Sequence, residues 1–277
     1  MNRPIVALLY DFDKTLGTKD MQEFAFIPSL GLSAQEFWKG ANDMAREKEM
    51  DGVLAYMYYM LTMSKAKSKT IKREDLVAQG KSVEFYPGVE EWFDRINDYG
   101  RKAGVQVEHY ILSSGLKEII EGTTIADKFT KIYASEFLYD ENGEAVWPKL
   151  AVNYTAKTQF VYRINKGILD ISKDRELNES MPDSTKRVRF TDMIYIGDGL
   201  TDVPCMKLVR SGGGTSIAMR TSGVEEFFTA LLRHERVDYV FPADYREGSP
   251  LDELMKKLFF KLSLDDCLEN ERKRQRR

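Results

Sequence analysis

The amino-acid sequence predicts an α/β fold, in which a doubly wound parallel sheet carries an inserted α-helical segment. The first apolar run, at residues 5–10, is almost purely apolar, as strands buried on both faces of a parallel sheet are. From about residue 86 onward, short apolar runs alternate with helical patterns, which is typical of parallel strands joined by right-handed crossovers. Residues 17–85 read as helical and contain no convincing strand, so they interrupt this alternation as an insertion.

Composition narrows the class of protein. The 277 residues are 43% hydrophobic, enough for a substantial core, and the formal net charge of -3 gives no indication of nucleic-acid binding. Two cysteines are too few for a disulfide framework and fit a reducing compartment. No apolar stretch approaches the roughly 20 residues that a membrane span needs, and the N-terminal run is shorter than a signal peptide requires. We therefore expect a cytoplasmic protein that binds neither nucleic acids nor membranes.

Two aspartates, Asp11 and Asp13, directly follow the first predicted strand. An unpaired carboxylate is costly to bury, so both should lie where the strand emerges, near water, a cation or both. In α/β sheets, ligands bind at the carboxyl ends of the strands. If the strand continued through Asp13, both carboxylates would point to one side, and their repulsion would call for a metal ion or one protonated group. On these residues alone, a helix cap by Asp13 or Thr15 is an equal alternative.

The helical insertion contains two clear helix starts. Ser33 followed by Glu36 is a capping-box pattern, and Asp51 can cap the next helix, over residues 52–63. The predicted buried face of that helix consists of Leu54, Met57, Tyr58 and Leu61. Its many Met and Tyr residues suit either packing among the helices or a lid that presents them to a substrate.

The remaining elements extend from residue 86 to the C-terminus. The predicted strands are 105–112, 131–135, 192–196, 215–219 and 237–241. A hairpin is expected at 137–147, because an Asn-Gly pair at 142–143 is a strong tight-turn signal. Residues 155–173 read as a helix, and the polar stretch 174–189 reads as a loop. The basic stretch 269–277 fits either a solvated terminal helix or contact with an anionic partner.

Polar side chains end three of the predicted strands at what should be one edge of the sheet. They are Asp11 and Asp13, Ser113, and Asp198 with Asp202. Lys157, near the start of a helix, is a further candidate, and Lys166 is its competitor. Carboxylates, a hydroxyl and a lysine, without a cysteine or histidine cluster, suit a hard cation with oxygen ligands. We therefore expect Mg²⁺ as the cofactor.

Four motifs, in this order, resemble those of the haloacid dehalogenase-like (HAD) superfamily of phosphatases. They are Asp-Phe-Asp-Lys-Thr at 11–15, Ile-Leu-Ser-Ser-Gly at 111–115, Thr-Ala-Lys-Thr at 155–158, and Gly-Asp-Gly at 197–199 with Asp202. The helical insertion after the first motif is similar to the C1-type cap of the branch that includes phosphoserine phosphatases. The resemblance implies a Rossmann-like HAD core of residues 1–16 and 86–277, and a helical cap of residues 17–85.

The resemblance also implies a role for each motif residue. Asp11 would be the nucleophile, and Asp13 would be the general acid and then the general base. Asp11, the backbone carbonyl of Asp13 and the carboxylate of Asp198 would hold the metal ion. Lys157 would be the catalytic lysine that holds both the phosphate and Asp11, with Asp202 orienting it.

The resemblance also implies that further residues take part in substrate binding. The Ser113 hydroxyl and the backbone around Ser114 would donate to phosphoryl oxygens, and Thr15 would support the site. Asp20 falls near the acidic position that holds the amino acid in phosphoserine phosphatases. However, the helix at 52–63 has no arginine to hold a carboxylate, which argues against phosphoserine as the substrate.

The sequence therefore predicts a Mg²⁺-dependent phosphatase that acts through an aspartyl-phosphate on a small phosphorylated metabolite. The acid at Asp13 argues against a dehalogenase, because dehalogenases of this superfamily lack an acid there. The alternatives are a phosphotransferase or mutase of the same superfamily and a non-catalytic protein that binds a phosphorylated ligand. His109 and Cys205 are expected in the core, and the sequence leaves a monomer and a homodimer equally open.

Overall fold

The sheet has the predicted architecture. The structure is a computed structural model that describes residues 3–221 and 225–275. Within these residues the strands are β1 (Ile5–Tyr10), β2 (Gln106–Leu116), β3 (Lys131–Tyr139), β4 (Ala145–Leu150), β5 (Met193–Gly197), β6 (Thr215–Arg220) and β7 (Tyr239–Pro242). They form one sheet in the order β4-β3-β2-β1-β5-β6-β7, with β1 at the centre. β3 and β4 pair antiparallel, and the other neighbouring strands pair parallel.

Helices cover both faces of the sheet. In the described ranges they are α1 (Phe26–Ser29), α2 (Ala34–Glu47), α3 (Gly52–Ala66), α4 (Arg73–Gln79), α5 (Val89–Ala103), α6 (Lys117–Glu121), α7 (Ala156–Lys166), α8 (Asp174–Asn178), α9 (Val203–Ser211), α10 (Glu225–Arg233) and α11 (Pro250–Gln275). Val6, Leu8 and Tyr10 pack in the core that contains α5 and α11, whereas Ala7 and Leu9 pack in the core that contains α7 and α9. Both faces of β1 are therefore buried, which explains why its sequence is apolar throughout.

Helices α1 to α4 lie in the insertion between β1 and α5. Ser33 and Glu36 form the predicted capping box, and the Asp51 carboxylate accepts hydrogen bonds from the first backbone N–H groups of α3. The insertion also contacts the β3–β4 hairpin, because the backbone N–H of Ala145 donates to the carbonyl of Ile71, with an N···O distance of 2.8 Å. The edge of the sheet is thus bonded to the inserted helices through the main chain.

β1 ends at Tyr10, as its apolar run predicted, and Asp11 and Asp13 lie in the loop that follows. Other predicted boundaries were wrong. α7 ends at Lys166, because Gly167 adopts a left-handed φ of 77° that closes the helix, well before the predicted end at residue 173. The predicted loop at 174–189 contains the short helix α8. The basic C-terminal stretch continues α11 to Gln275, and its last two residues lie outside the described ranges.

The predicted buried face of α3 was only partly right. Met57 is buried as predicted, but Leu54 and Tyr58 are exposed. Tyr56 and Met60 are buried instead. Nearly every position around α3 carries an apolar residue, so the sequence pattern does not identify a single buried face. The rotation of α3 is instead set by its packing against α2 and the core. Within residues 3–221 and 225–275, none of the helices combines the length and the apolar character that a membrane crossing requires.

Candidate active site

The loop after β1 positions the two aspartates at the carboxyl edge of the sheet. The carbonyl of Phe12 accepts hydrogen bonds from the backbone N–H groups of Leu16 and Gly17, at 2.9 and 3.0 Å, which folds the loop into a tight turn. Lys14 adopts a left-handed φ of 56° within this turn. Asp11 is buried where β1 ends, and the chain turns sharply within a few residues of it.

Asp13 has contacts of its own beside the end of β2. Its Oδ1 accepts a hydrogen bond from the backbone N–H of Met21 at 2.8 Å. Its other oxygen lies against Gly115, where an added Cβ would come within 2.7 Å of Oδ2. Burial, together with the charges of Asp20 and Asp11, raises the pKa of Asp13 well above its usual range. Asp13 is therefore a carboxyl group that holds its proton more tightly than an exposed aspartate does.

Lys157 joins Asp11 to the fourth motif. Its ammonium nitrogen lies 2.8 Å from Asp11 Oδ1 and 2.8 Å from Asp202 Oδ1, and its side chain is fully buried. Burial alone would lower the pKa of Lys157, but the charges of Asp11 and Asp202 outweigh it and raise that pKa. Lys157 therefore stays charged and fixes one oxygen of Asp11.

Asp202 orients Lys157 because both of its oxygens are already occupied. Oδ1 also accepts a hydrogen bond from the Tyr195 hydroxyl at 2.7 Å, and Oδ2 accepts one from the backbone N–H of Gly199 at 3.1 Å. Gly197 permits this arrangement, since a Cβ there would come within 2.6 Å of the Asp202 carboxyl carbon. The glycine before Asp198 thus has a steric reason to be there.

Asp198 completes a group of three carboxylates. One oxygen each from Asp11, Asp198 and Asp202 lie within 4.8 Å of one another. Burial raises the pKa of Asp11 to about 7, with the charge of Asp202 acting in the same direction and Lys157 opposing it. Burial also raises the pKa of Asp198 to about 8, and the charges of Asp11 and Asp202 add to the shift. Three carboxylates facing one ammonium leave uncompensated negative charge in a buried place.

This donor set fits a divalent cation. The oxygens of Asp11 and Asp198 are hard ligands, and a cation beside them would cancel the repulsion that raises both pKa values. Thr15 supports Asp198 through a hydroxyl hydrogen bond to Oδ1, at 3.4 Å. Asp202 is close by, but its oxygens are committed to Lys157, Tyr195 and Gly199. Asp11 and Asp198 are therefore the carboxylates best placed to hold Mg²⁺.

Ser113 and Ser114 lie at the end of β2, the neighbour of β1. The buried Ser113 hydroxyl accepts a hydrogen bond from the backbone N–H of Gly115 at 3.0 Å. The Ser114 hydroxyl is buried and has no hydrogen-bond partner among the described residues. The Ser114 carbonyl accepts hydrogen bonds from the Tyr56 hydroxyl of α3, at 2.6 Å, and from the Ser135 hydroxyl, at 3.1 Å. This end of β2 is therefore held from the insertion side as well as from the sheet.

Two predicted candidates lie apart from the Asp11–Lys157 pair. Asp20 forms an ion pair with Lys14, with a 2.6 Å N···O distance. Lys166, at the other end of α7, donates hydrogen bonds to the carbonyls of Leu177 and Glu179 and so holds the loop after α7. Of the two competing lysines, Lys157 is the one that contacts Asp11.

Sequence reasoning missed Tyr56, Lys14 and Tyr195 as parts of this site. Tyr195 lies inside a buried strand, where an aromatic residue looks like ordinary core. Lys14 follows Asp13 directly and could have been recognised from its position between two acids in sequence, Asp13 and Asp20. The expectations for His109 and Cys205 are confirmed, since both are buried in the core.

The fold and this carboxylate site define a hydrolase of the haloacid dehalogenase type. The family model for haloacid dehalogenase-like hydrolases matches residues 8–207, most of the chain. The chain belongs to the haloacid dehalogenase-like hydrolase family.

Individual relatives are more distant. An uncharacterized protein of Borreliella burgdorferi is 26% identical over 231 residues, which cover 75% of this chain and 79% of that protein. A HAD-family hydrolase from Salmonella enterica serovar Typhi has a TM-score of 0.56 and 18% identity, covering 87% of this chain and 69% of its own. A phosphoserine phosphatase, solved as a phospho-aspartyl intermediate analogue, has a TM-score of 0.54 and 17% identity, covering 92% of this chain and 99% of its own. At these identities the two solved structures establish the fold.

Proposed function

We propose that this protein is a Mg²⁺-dependent phosphomonoesterase that acts on a small phosphorylated metabolite. The observation that carries the proposal is the contact between Lys157 and Asp11, with a second carboxyl group, Asp13, two residues away. Lys157 leaves the second oxygen of Asp11 free of this ion pair and therefore available as a nucleophile. The fold shared with a phosphoserine phosphatase solved as a phospho-aspartyl analogue supports the same chemistry.

The proposed reaction has two steps. In the first, an Asp11 oxygen forms a bond to phosphorus, the bond from phosphorus to the leaving oxygen breaks, and Asp13 gives its proton to that oxygen. In the second, Asp13 takes a proton from water, whose oxygen attacks phosphorus and releases Asp11 and inorganic phosphate. The raised pKa of Asp13 suits a group that must begin the cycle protonated.

The other residues would stabilise the phosphoryl group. Lys157 would supply positive charge to a phosphoryl oxygen while holding Asp11, and Ser113 would donate its hydroxyl hydrogen to another. Mg²⁺, when bound by Asp11, Asp198 and the backbone carbonyl of Asp13, supplies positive charge between the nucleophile and the phosphate.

We further propose that residues 17–85 act as a cap over this site, with residues 1–16 and 86–277 as the core. Two contacts support this division. The Tyr56 hydroxyl bonds to the Ser114 carbonyl, and the backbone N–H of Leu116 lies 3.0 Å from the sulfur of Met21. Both contacts join the insertion to the end of β2 that carries Ser113, so closing the cap would also exclude water from the phosphate.

The test is hydrolysis of p-nitrophenyl phosphate with Mg²⁺ by the wild type and by three Asp→Asn variants. Asp11→Asn removes the nucleophile and should abolish turnover, while Asp13→Asn should lower kcat by about 10²–10⁴-fold because general acid–base catalysis is lost. Asp43→Asn is the matched control, since Asp43 pairs with Lys39 and Arg46 on the surface of α2, and it should keep full activity.

Four results would contradict the proposal. Full activity of Asp11→Asn, or full activity in the presence of a chelator, would exclude the mechanism. Transfer of phosphate to an added alcohol or sugar in preference to water would indicate a phosphotransferase. Tight binding of phosphate esters without turnover would indicate a binding protein.

A further inference from the structure

A cleft of about 550 Å³ opens beside Asp198, on the side of the site that faces solvent. It is lined by Lys14, Thr18, Tyr86, Asp198, Leu200 and Phe227, among others. Asp198 belongs both to this cleft and to the carboxylate group around Asp11, and Lys14 is the chain neighbour of Asp13. The cleft therefore begins at the reacting centre rather than at a remote surface.

The lining of this cleft is largely apolar and aromatic. Leu200 lies in the turn two residues after Asp198 and is 65% exposed, an unusual position for a large apolar side chain beside a cluster of acids. The rings of Tyr86 and Phe227 line the same space. Such a surface matches a flat apolar group.

Asp20 and the arginines of residues 17–85, which could hold a free amino acid, are already engaged. Asp20, which could pair with an amino group, is neutralised by Lys14 at 2.6 Å. The two arginines of residues 17–85, which could pair with a carboxylate, each bind an acid instead: Arg46 binds Asp43, and Arg73 binds Glu121. A zwitterionic leaving group such as serine would thus have to displace existing ion pairs before it could be recognised.

We propose that the leaving group of the substrate carries an aromatic ring, which the cleft holds between Leu200, Tyr86 and Phe227. The inference rests on the proposed function and names the class of substrate for that site. The phosphate is fixed at Asp11 and Lys157, and the rest of the ester extends past Asp198 into the cleft. The ring packs against the apolar lining of the cleft.

The test compares three phosphate esters of primary alcohols, so that their leaving groups have similar chemical reactivity. They are 2-phenylethyl phosphate, 2-cyclohexylethyl phosphate and phosphoserine, with Mg²⁺ present. We expect kcat/KM for 2-phenylethyl phosphate to exceed that for phosphoserine by about tenfold or more, with the cyclohexyl ester in between, because a flat ring fits the cleft better than a puckered one.

Two variants locate the preference in the cleft. Phe227→Ala and Leu200→Ser should each lower the ratio of kcat/KM for 2-phenylethyl phosphate over phosphoserine, by about tenfold for Phe227→Ala. Leu200→Ser alters an exposed side chain, so it remains informative if Phe227→Ala fails to fold. The matched control is Leu232→Ala, in the same helix as Phe227 but on its exposed side, which should keep the wild-type ratio.

The possible failures are distinguishable. Hydrolysis of none of the three esters, by an enzyme that also fails on p-nitrophenyl phosphate, would overturn the proposed function. Hydrolysis of all three at equal kcat/KM, a preference for phosphoserine, or a ratio that neither variant changes would overturn the inference and leave the phosphatase mechanism intact.

Discussion

The role of each residue in the candidate site depends on the groups that it contacts. Lys157 and Lys166 are both on α7, and both were candidates from the sequence. In the structure Lys157 binds the Asp11 carboxylate, whereas Lys166 donates hydrogen bonds to backbone carbonyls of the chain that follows α7. The motif order predicted which residue types would meet, because strand ends share one edge of a parallel sheet. It could not predict that Asp202 also accepts hydrogen bonds from the Tyr195 hydroxyl and the Gly199 backbone, since that depends on side-chain directions set by packing.

His109 is a second case in which neighbours set the chemistry of a residue. It lies in a buried chain of hydrogen bonds: Trp92 donates to the Tyr10 hydroxyl, the Tyr10 hydroxyl lies 3.1 Å from His109 Nδ1, and Nε2 lies 3.1 Å from the Asn97 side-chain oxygen. Both ring nitrogens are used by neutral imidazole, with Nε2 donating and Nδ1 accepting. Burial lowers the pKa of His109 to about 3.

The low pKa of His109 predicts a loss of stability in mild acid. An unfolded histidine binds a proton below about pH 6.5, whereas folded His109 does so only below about pH 3, so stability falls as the pH falls between these values. Between pH 7 and pH 5, the free energy of unfolding should fall by about 2 kcal/mol less in His109→Gln than in the wild type, as measured by urea denaturation. His234→Gln, at the exposed second histidine, should behave as the wild type does, and an equal pH slope in both variants would contradict the assignment.

At the scale of elements, close backbone contact holds the insertion on the core. α4 packs on α6, and a Cβ at Gly122, which ends α6, would lie 1.7 Å from the carbonyl oxygen of Val77 in α4. A Cβ at Gly80 would likewise lie 2.3 Å from the carbonyl oxygen of Ile119. Backbone atoms cannot move aside as a flexible side chain can, so both glycines permit contact that alanine would prevent.

Gly122→Ala should therefore destabilise the protein by about 1–3 kcal/mol, the usual cost of overpacking a tight contact. Gly122 has a φ of -87°, so the effect would be steric and not a matter of backbone conformation. The measurement is the free energy of unfolding in denaturant. Gly52→Ala is the control, because an added Cβ meets nothing within 4 Å there, and it should be neutral or slightly stabilising. Equal stability of the two variants would refute this account of the contact.

The same scale shows where sequence patterns succeed and fail. Helix starts were predictable, because capping by Ser33 and Asp51 is a local matter of a side chain and the next few N–H groups. The buried face of α3 was not, because nearly every position of that helix is apolar and its rotation depends on partners distant in sequence. The end of α7 depended on one left-handed glycine, Gly167, inside a pattern that otherwise looked helical.

For the whole molecule, the carboxylate site links segments that are far apart in sequence. Asp11 follows β1 and Asp198 follows β5, which are neighbours at the centre of the sheet. An ion that binds both aspartates in the folded protein, and not in the unfolded chain, must raise global stability by mass action. The sequence order of the motifs anticipated this convergence, because adjacent parallel strands bring their ends together.

Mg²⁺ should therefore raise the free energy of unfolding by about 1.4 kcal/mol when present at tenfold its dissociation constant. Asp198→Asn should remove most of this gain, while the surface variant Asp43→Asn should keep it; thermal denaturation with Mg²⁺ and with chelator measures both. The same Mg²⁺ gain in Asp198→Asn as in the wild type would show that the ion binds elsewhere.

The hydrogen bond between Ala145 of the β3–β4 hairpin and Ile71 of the insertion affects how the protein can open. The proposed cap is covalently joined to the core at its two ends, and it is also held by contacts such as Tyr56 with Ser114 and α4 with α6. The bond from Ala145 adds an attachment at the rim of the sheet, so a swing about the two covalent connections would have to break it or carry the hairpin along. We therefore expect β3 and β4 to bend when the substrate enters, so that these strands form part of the hinge between cap and core.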